Sequence, residues 1–364
     1  MRSILLASLL TPLLASQAGA TPADNDCSLY TPDPYYGSLN WSQVHPGSHS
    51  IGQDGIQFAD INGDGRADAI AVATDVNGWG MNGNMRITVR LAVTYPEVKF
   101  SDTTTVLDLL SSWEAFSMRR IFFVDVNNDT FADAVSILDS QVVVRLNTGG
   151  ALGAPTAWTS DPFSGSWETF MADVDNDHQA DLIAVSSGGG VTVRRSNGAG
   201  FDPARPWTGR RQSAVYGTHG TAFADVTGDG RADAIAVRDD GIWVRPAIGT
   251  GDSASFAYPE VRWTNTAWWD TYGMYFADLT GDGKADAIMT GPSGVQMRLS
   301  TGSAFSVAQT WLTVGVFRGD VTTAFAPVST LGRADMLMVM FANGAIKGRP
   351  NLWSYFGLEL CWDV

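Results

Sequence analysis

Short apolar runs alternate with Asp- and Gly-rich turns along most of the chain, and past the first twenty residues no segment repeats with helical period. The pattern comes in copies. FADINGDGRADAIAV begins at Phe58, FVDVNNDTFADAVSI at Phe123, MADVDNDHQADLIAV at Met171, FADVTGDGRADAIAV at Phe223 and FADLTGDGKADAIMT at Phe276, with a worn sixth copy, FAPVSTLGRADMLMV, at Phe325. Each copy predicts a short strand entering an acidic loop and a second strand leaving it, such as Ala69-Ile70-Ala71-Val72. A Gly-containing turn then leads to an alternating strand that ends in Arg, as in Ile87-Thr88-Val89-Arg90 and Val191-Thr192-Val193-Arg194. Period-two alternation puts the Val on one sheet face and the Arg on the other. A fourth strand is predicted around Trp158, Trp207, Trp263 and Trp311.

Between Asp60, Asp125, Asp173, Asp225, Asp278 and Pro327 the steps are 65, 48, 52, 53 and 49 residues. Periods of this length with four strands each predict an all-β propeller of four-stranded antiparallel blades. One loop per blade gives six blades. Seven is the alternative, because the first step is long and residues 21–55 have no loop of their own. Trp41 and Trp362 are expected in strands that meet where the ring closes.

The first twenty residues, MRSILLASLLTPLLASQAGA, read as a signal peptide, with one Arg, an apolar stretch and a small-residue end. The expected mature protein is a single secreted domain, 21–364, with no later run long enough to span a bilayer. The two cysteines, Cys27 and Cys361, lie near its ends and are expected to pair in an oxidising compartment. Two unrelated thiols remain the alternative.

Charge narrows the partners. The formal balance is −15, or −16 once Arg2 leaves with the leader, which argues against nucleic acid. Of the 38 acidic residues only five are Glu, so short carboxylates are being selected.

In the first loop the oxygen side chains fall at positions 1, 3, 5 and 9, namely Asp60, Asn62, Asp64 and Asp68, with Arg66 at position 7 offering its backbone carbonyl. The spacing recurs at Asp125, Asn127, Asp129, Phe131 and Asp133, and at Asp173, Asp175, Asp177, Gln179 and Asp181. It recurs again at Asp225, Thr227, Asp229, Arg231 and Asp233, and at Asp278, Thr280, Asp282, Lys284 and Asp286. Calcium takes six to eight oxygens, and a tight loop can present alternate side chains to it. An EF-hand would need Glu at position 12, where Ala71, Ser136, Ala184, Ala236 or Met289 stands. The other reading is a metal-free Asx turn. About five Ca2+ ions would offset the 16 loop carboxylates and bring the mature charge to about −6. Thr130 and His178 stand where Gly fits the turn best, and the sixth loop, with Pro327 and Leu331 in place of acids, keeps only Asp335 and is expected to be metal-free.

These loops resemble the FG-GAP or VCBS repeat family, whose members include the integrin α-subunit head and secreted lectin-like propellers. The resemblance covers the chain from about Trp41 onward, although Phe-Ala here replaces the Phe-Gly that names the family. It implies a propeller with structural calcium and leaves the ligand open.

Binding is expected on the connections that enter each blade, on the face opposite the loops. They carry Trp113, Trp167 and Glu168, His219, and Trp268, Trp269, Asp270 and Tyr272. Aromatic rings beside short polar groups suit sugars, so glycans or glycoproteins are the expected partners; packing between blades is the plainer role for any single Trp. An enzyme is the rival, a lyase or glycosidase using His49 or His219, and protein adhesion is a third reading, with Arg318-Gly319-Asp320 as a weak pointer. The six recurrent arginines, Arg90, Arg145, Arg194, Arg245, Arg298 and Arg349, are expected to bridge blades rather than to form an anion-binding ring.

Overall fold

The computed structural model describes residues 56–74, 85–94, 99–101, 105–110, 118–208, 215–270, 272–292, 294–312, 322–329, 332–339, 346–349, 351 and 360–362. Among these, six four-stranded antiparallel sheets form, numbered here in chain order. The first strands are Ile56–Ala59, Met118–Val124, Glu168–Ala172, Gly220–Ala224, Gly273–Ala277 and Thr322–Ala326. The second strands are Asp68–Thr74, Asp133–Leu138, Asp181–Val185, Asp233–Arg238, Asp286–Gly291 and Asp335–Val339. Third strands are Met85–Arg90, Val142–Arg145, Val191–Arg194, Gly241–Arg245, Gly294–Arg298 and Ile346–Arg349. Fourth strands are Thr105–Leu110, Thr156–Ala157, Arg205–Pro206, Val261–Arg262, Gln309–Leu312 and Leu360–Trp362.

One register recurs in every sheet. The residue before the acidic loop pairs with the loop's ninth residue: Ala59 with Asp68, Val124 with Asp133, Ala172 with Asp181, Ala224 with Asp233, Ala277 with Asp286 and Ala326 with Asp335. All six loops therefore leave their sheets at the same end, and the connections that enter the first strands lie at the other.

A cycle of backbone bonds closes the ring. The eighth-position N–H of each loop donates to the first-position carbonyl of the loop before it: Ala132 to Asp60 (2.7 Å), Ala180 to Asp125 (2.8 Å), Ala232 to Asp173 (2.7 Å), Ala285 to Asp225 (2.6 Å) and Ala334 to Asp278 (2.9 Å). Ala67 completes the cycle by donating to Pro327 of the sixth loop at 2.8 Å. Six apolar clusters, one at each boundary between sheets, fill the space between them; Phe100, Ala326, Val328 and Leu337 belong to the one that seals sheet 6 against sheet 1. The arrangement is an all-β propeller, whose sheets keep only short, protected edges.

The tryptophans predicted to mark the fourth strand sit at or just beyond its end and turn inward. Trp158 packs on Phe201, Trp207 on Phe256 and Trp263 on Phe305, each pair with ring centroids 5.2 Å apart and each bridging to the next sheet. Sheets arranged around an axis diverge with radius, and these large rings fill the widening gap. The recurrent arginines are buried at Arg145, Arg194 and Arg245. The Arg194, Arg245 and Arg298 guanidinium groups lie over Phe163, Tyr258 and Trp268 at 5.2, 5.4 and 5.2 Å.

Among the described residues, Trp362 lies in the fourth strand of sheet 6, whose four described strands all come from the C-terminal part of the sequence. Trp41, Cys27 and residues 21–55, on which a seventh sheet would have to draw, lie outside the described residues, as do the leader, the Cys27–Cys361 pairing and Arg318-Gly319-Asp320. No helix among the described residues is long and apolar enough to cross a membrane.

Candidate functional site

The acidic loops are built by their own aspartates. The first-position carboxylate accepts the fourth-position N–H at 2.7 Å in Asp60, Asp125, Asp173 and Asp278 and at 2.6 Å in Asp225. It accepts the sixth-position N–H with its other oxygen, at 2.6 to 2.8 Å. The fifth-position carboxylate accepts the seventh-position N–H, as Asp64 does from Arg66 at 2.9 Å. Such turns need left-handed backbone at positions 4 and 6. Gly63, Gly65, Gly228, Gly230, Gly281 and Gly283 supply it in three loops, but Asn128, Thr130, Asn176 and His178 hold φ of 62, 75, 65 and 66° in the other two. The asparagines are compensated across the ring: Asn128 Nδ2 donates to the Asp177 carbonyl and Asn176 Nδ2 to the Asp229 carbonyl. Thr130 is β-branched and carries the larger strain, of order 1–2 kcal/mol. Replacing Thr130 by Gly is therefore expected to raise unfolding stability by about 1 kcal/mol, readable in a urea titration, once the extra unfolded-state freedom of Gly is subtracted.

The ninth-position aspartates do something different. Asp68, Asp133, Asp181, Asp233 and Asp286 are buried, and each accepts two or more backbone N–H bonds. Oδ2 takes the second-position N–H of its own loop, at 2.9 Å from Ile61 and 3.1 Å from Val126, Val174, Val226 and Leu279. Oδ1 takes an N–H just past the third strand, from Ala92, Asn147, Ser196, Ala247 or Ser300, at 2.7 to 2.9 Å. Burial pushes Asp68 and Asp233 up to about 6, Asp133 and Asp286 to about 7 and Asp181 to about 8, with neighbouring loop carboxylates adding to the rise and the backbone bonds opposing it.

A cation fits the third loop best. One carboxylate oxygen from each of Asp173, Asp175 and Asp177 lies within 4.8 Å of the others. Asp175 Oδ1 and Gln179 Oε1 are buried there with no hydrogen-bond partner, which is what a hard cation would relieve. In this loop Gln179 Nε2 donates to Asp177 at 3.1 Å and Arg195 Nη1 lies 3.2 Å from Asp175, whereas in three others the seventh-position side chain on the fifth-position carboxylate is cationic: Lys284 Nζ is 2.7 Å from Asp282, Arg231 Nη1 3.2 Å from Asp229 and Arg66 Nη1 4.0 Å from Asp64. Arg66, Arg231 and Lys284 thus hold charge near the site in addition to the carbonyl that the spacing assigned them. In the sixth loop Asp335 keeps the buried latch. Its carboxylate accepts from Val328 N, Ser329 N, Ser329 Oγ and Asn351 N, at 3.0, 2.6, 2.7 and 2.8 Å.

Reading the sequence missed a second set of ring bonds. Asn147 Nδ2, Ser196 Oγ, Ser300 Oγ and Asn351 Nδ2 each reach the second-position carbonyl of the preceding loop, that of Ile61, Val126, Val226 and Leu279, at 2.6 to 2.8 Å. Their signal was a small polar residue soon after the third strand in four of the copies.

On the opposite face, the candidate ligand residues separate. Trp268 is 6% exposed, inside the cluster between sheets 4 and 5 and beneath Arg298, so its side chain is core. Glu168 pairs with Arg120 at 2.8 Å, and the Asp270 carboxylate packs where only Gly291 leaves room. Tyr272 is half-buried, and Trp113 lies outside the described residues. Two residues remain open: Trp167, 51% exposed with its ring 5.4 Å from that of Tyr216, and Trp269, 37% exposed and stacked at 3.5 Å and 10° on His219. His219 Nε2 lies 2.6 Å from Asp239 Oδ1.

Ring, register and repeated acidic loops define a propeller of FG-GAP type. An FG-GAP-like repeat profile matches residues 125–184, 173–236 and 225–289, which together with the propeller arrangement supports an FG-GAP repeat β-propeller family. Comparison with curated protein sequences finds no match. Among solved structures, the chain is similar to an Agrocybe aegerita lectin that recognises non-reducing terminal N-acetylglucosamine, at 22% identity and TM-score 0.59, over 85% of this chain and 79% of that one. It is also similar to part of the Photorhabdus luminescens Tc holotoxin pore, at 17% identity and TM-score 0.58, over 84% of this chain but 14% of that one. At these identities the likeness is one of fold.

Proposed function

We propose that the protein is a secreted, calcium-stabilised propeller that binds carbohydrate through the face opposite its acidic loops. The observation that carries the reading is the pair of exposed indoles, Trp167 and Trp269, each backed by a second ring at a boundary between sheets. A half-buried backing ring holds the outer one in place, so an apolar ring face is presented to a sugar without much ordering cost, and hydroxyls find the flanking Ser166, Ser187 and Asp239. The lectin neighbour agrees in kind. The five acidic loops would hold calcium through their first-, third- and fifth-position oxygens and the ninth-position aspartate, fastening the ring from the far side.

A glycan array, run with and without EDTA, tests the reading. Binding is expected, and Trp167→Ala is expected to weaken it by at least about tenfold, the order of one lost stacking contact. No retained glycan, or binding indifferent to both Trp167→Ala and Trp269→Ala, would refute it. Turnover of a polysaccharide that disappears in His219→Ala would instead favour an enzyme.

A further inference from the structure

Trp167 and His219 hold equivalent places, six residues before the first loop position of their sheets, Asp173 and Asp225. Tyr216 and Trp269 are likewise equivalent, nine residues before Asp225 and Asp278, and Ser187 and Asp239 each follow their ninth-position aspartate by six. The local turn is the same in both copies. Trp167 N donates to Val185 O at 2.9 Å and His219 N to Val237 O at 3.0 Å, while Gly165 and Gly217 pass so close to these second strands that neither place has room for a Cβ. A paired-ring platform therefore appears twice, one sheet apart: Trp167 on Tyr216 between sheets 3 and 4, with Ser187 bonded to the adjacent Ser166, then Trp269 on His219 between sheets 4 and 5, with Asp239 bonded to His219. At the preceding boundary the same places hold Arg119 and Ser164, so the aromatic arc does not continue around the described ring in that direction.

Resting on the carbohydrate reading, we infer that these two constellations are neighbouring subsites for one extended chain: a linear polysaccharide of flat, equatorially linked sugars. Packed sheets lie about 10 Å apart and these diverge further with radius, so the two platforms are separated by at least two pyranose rings, a span that an oligosaccharide of several residues covers. A single terminal sugar could occupy one platform only. A continuous chain occupies both, and its second contact is made at high effective concentration. The subsites differ in chemistry. The first is neutral, with an indole, a phenol and a hydroxyl; the second offers an indole backed by imidazole and an exposed carboxylate, which suits a ring bearing several donors. The chain should therefore bind in one direction.

Calorimetric titration with cello- and chitin-oligosaccharides of one to six residues tests this on the full-length protein. Affinity is expected to rise on the order of tenfold or more between the dimer and the longer oligomers of the series that binds. Trp167→Ala and Trp269→Ala should each abolish that rise, so that the longer oligomers bind no more tightly than the dimer. Both side chains are exposed, and circular dichroism verifies that the variants fold. Affinity independent of length, or a length gain that survives either variant, would overturn the shared-chain inference while leaving carbohydrate binding intact. Failure of both series, together with an empty glycan array, would overturn the carbohydrate reading itself.

Discussion

Excess EDTA at pH 7.5 is expected to lower the melting temperature by about 20 °C, the sum of five sites that each add about 2.7 kcal/mol when calcium stands a hundredfold above its dissociation constant. Under the proposed calcium role, ions bound by the folded ring and not by the unfolded chain would add their binding energy to stability. The effect should depend on pH in a definite sense. Without the ion, burial raises Asp68 and Asp233 to about 6, Asp133 and Asp286 to about 7, and Asp181 to about 8, all above the unfolded value near 4. A raised carboxyl stabilises the fold while it is protonated. That contribution is complete below about pH 4 and is lost as pH climbs through 6 to 8. The chelated protein should therefore weaken from pH 5 to pH 8, whereas calcium, which needs the ionised carboxylates, should reverse the trend. EDTA would then cost little at pH 5 and most at pH 8. Differential scanning fluorimetry across that range checks both parts, and a shift under about 3 °C at pH 8 would remove calcium from the account.

Much of this was legible because the repeat writes the same short-range rule many times. Asp60, Asp125, Asp173, Asp225 and Asp278 mark the loops at near-constant spacing, and strand alternation between them fixes the sheets. What escaped was decided by burial and by contacts far apart in sequence. Trp268 and Trp269 are adjacent and chemically alike, yet one is core and the other faces solvent. The clue was that the place of Trp268 is filled by Phe163 and Val215 in neighbouring copies, apolar each time and buried each time. The His219–Asp239 pairing spans the first two strands of sheet 4 and depends on where a turn ends, which spacing does not give. Nor does a sequence tell a ligand from a latch. The letter Asp serves at positions 1 and 9 alike, but in the first case it folds the loop around itself and in the second it ties the loop to the third strand.

Asp335 separates these roles, because it is the one ninth-position aspartate whose loop has lost its acids. Were position 9 kept only for a cation, the sixth copy would have been free to lose it. Its carboxylate instead accepts four donors, Val328 N, Ser329 N, Ser329 Oγ and Asn351 N, and Asn351 in turn donates to Leu279 O of the fifth loop and Ala334 O of its own. Removing the carboxylate strands buried N–H groups, each costing about 1–3 kcal/mol, so Asp335→Ala is expected to destabilise the protein by about 4 kcal/mol or more. Asn supplies one oxygen and turns an NH2 toward the remaining donors, so Asp335→Asn should recover less than half of that loss. The decisive feature is the response to metal. Urea unfolding of Asp335→Ala should show the same loss in calcium and in EDTA, whereas Asp233→Ala, in a loop that keeps its acids, should lose more in calcium than in EDTA because it forfeits an ion as well as a latch. If Asp335→Ala were as metal-sensitive as Asp233→Ala, the sixth loop would be a cation site. If it were silent, the buried bonds at this seam would not be what holds the last sheet to its neighbours.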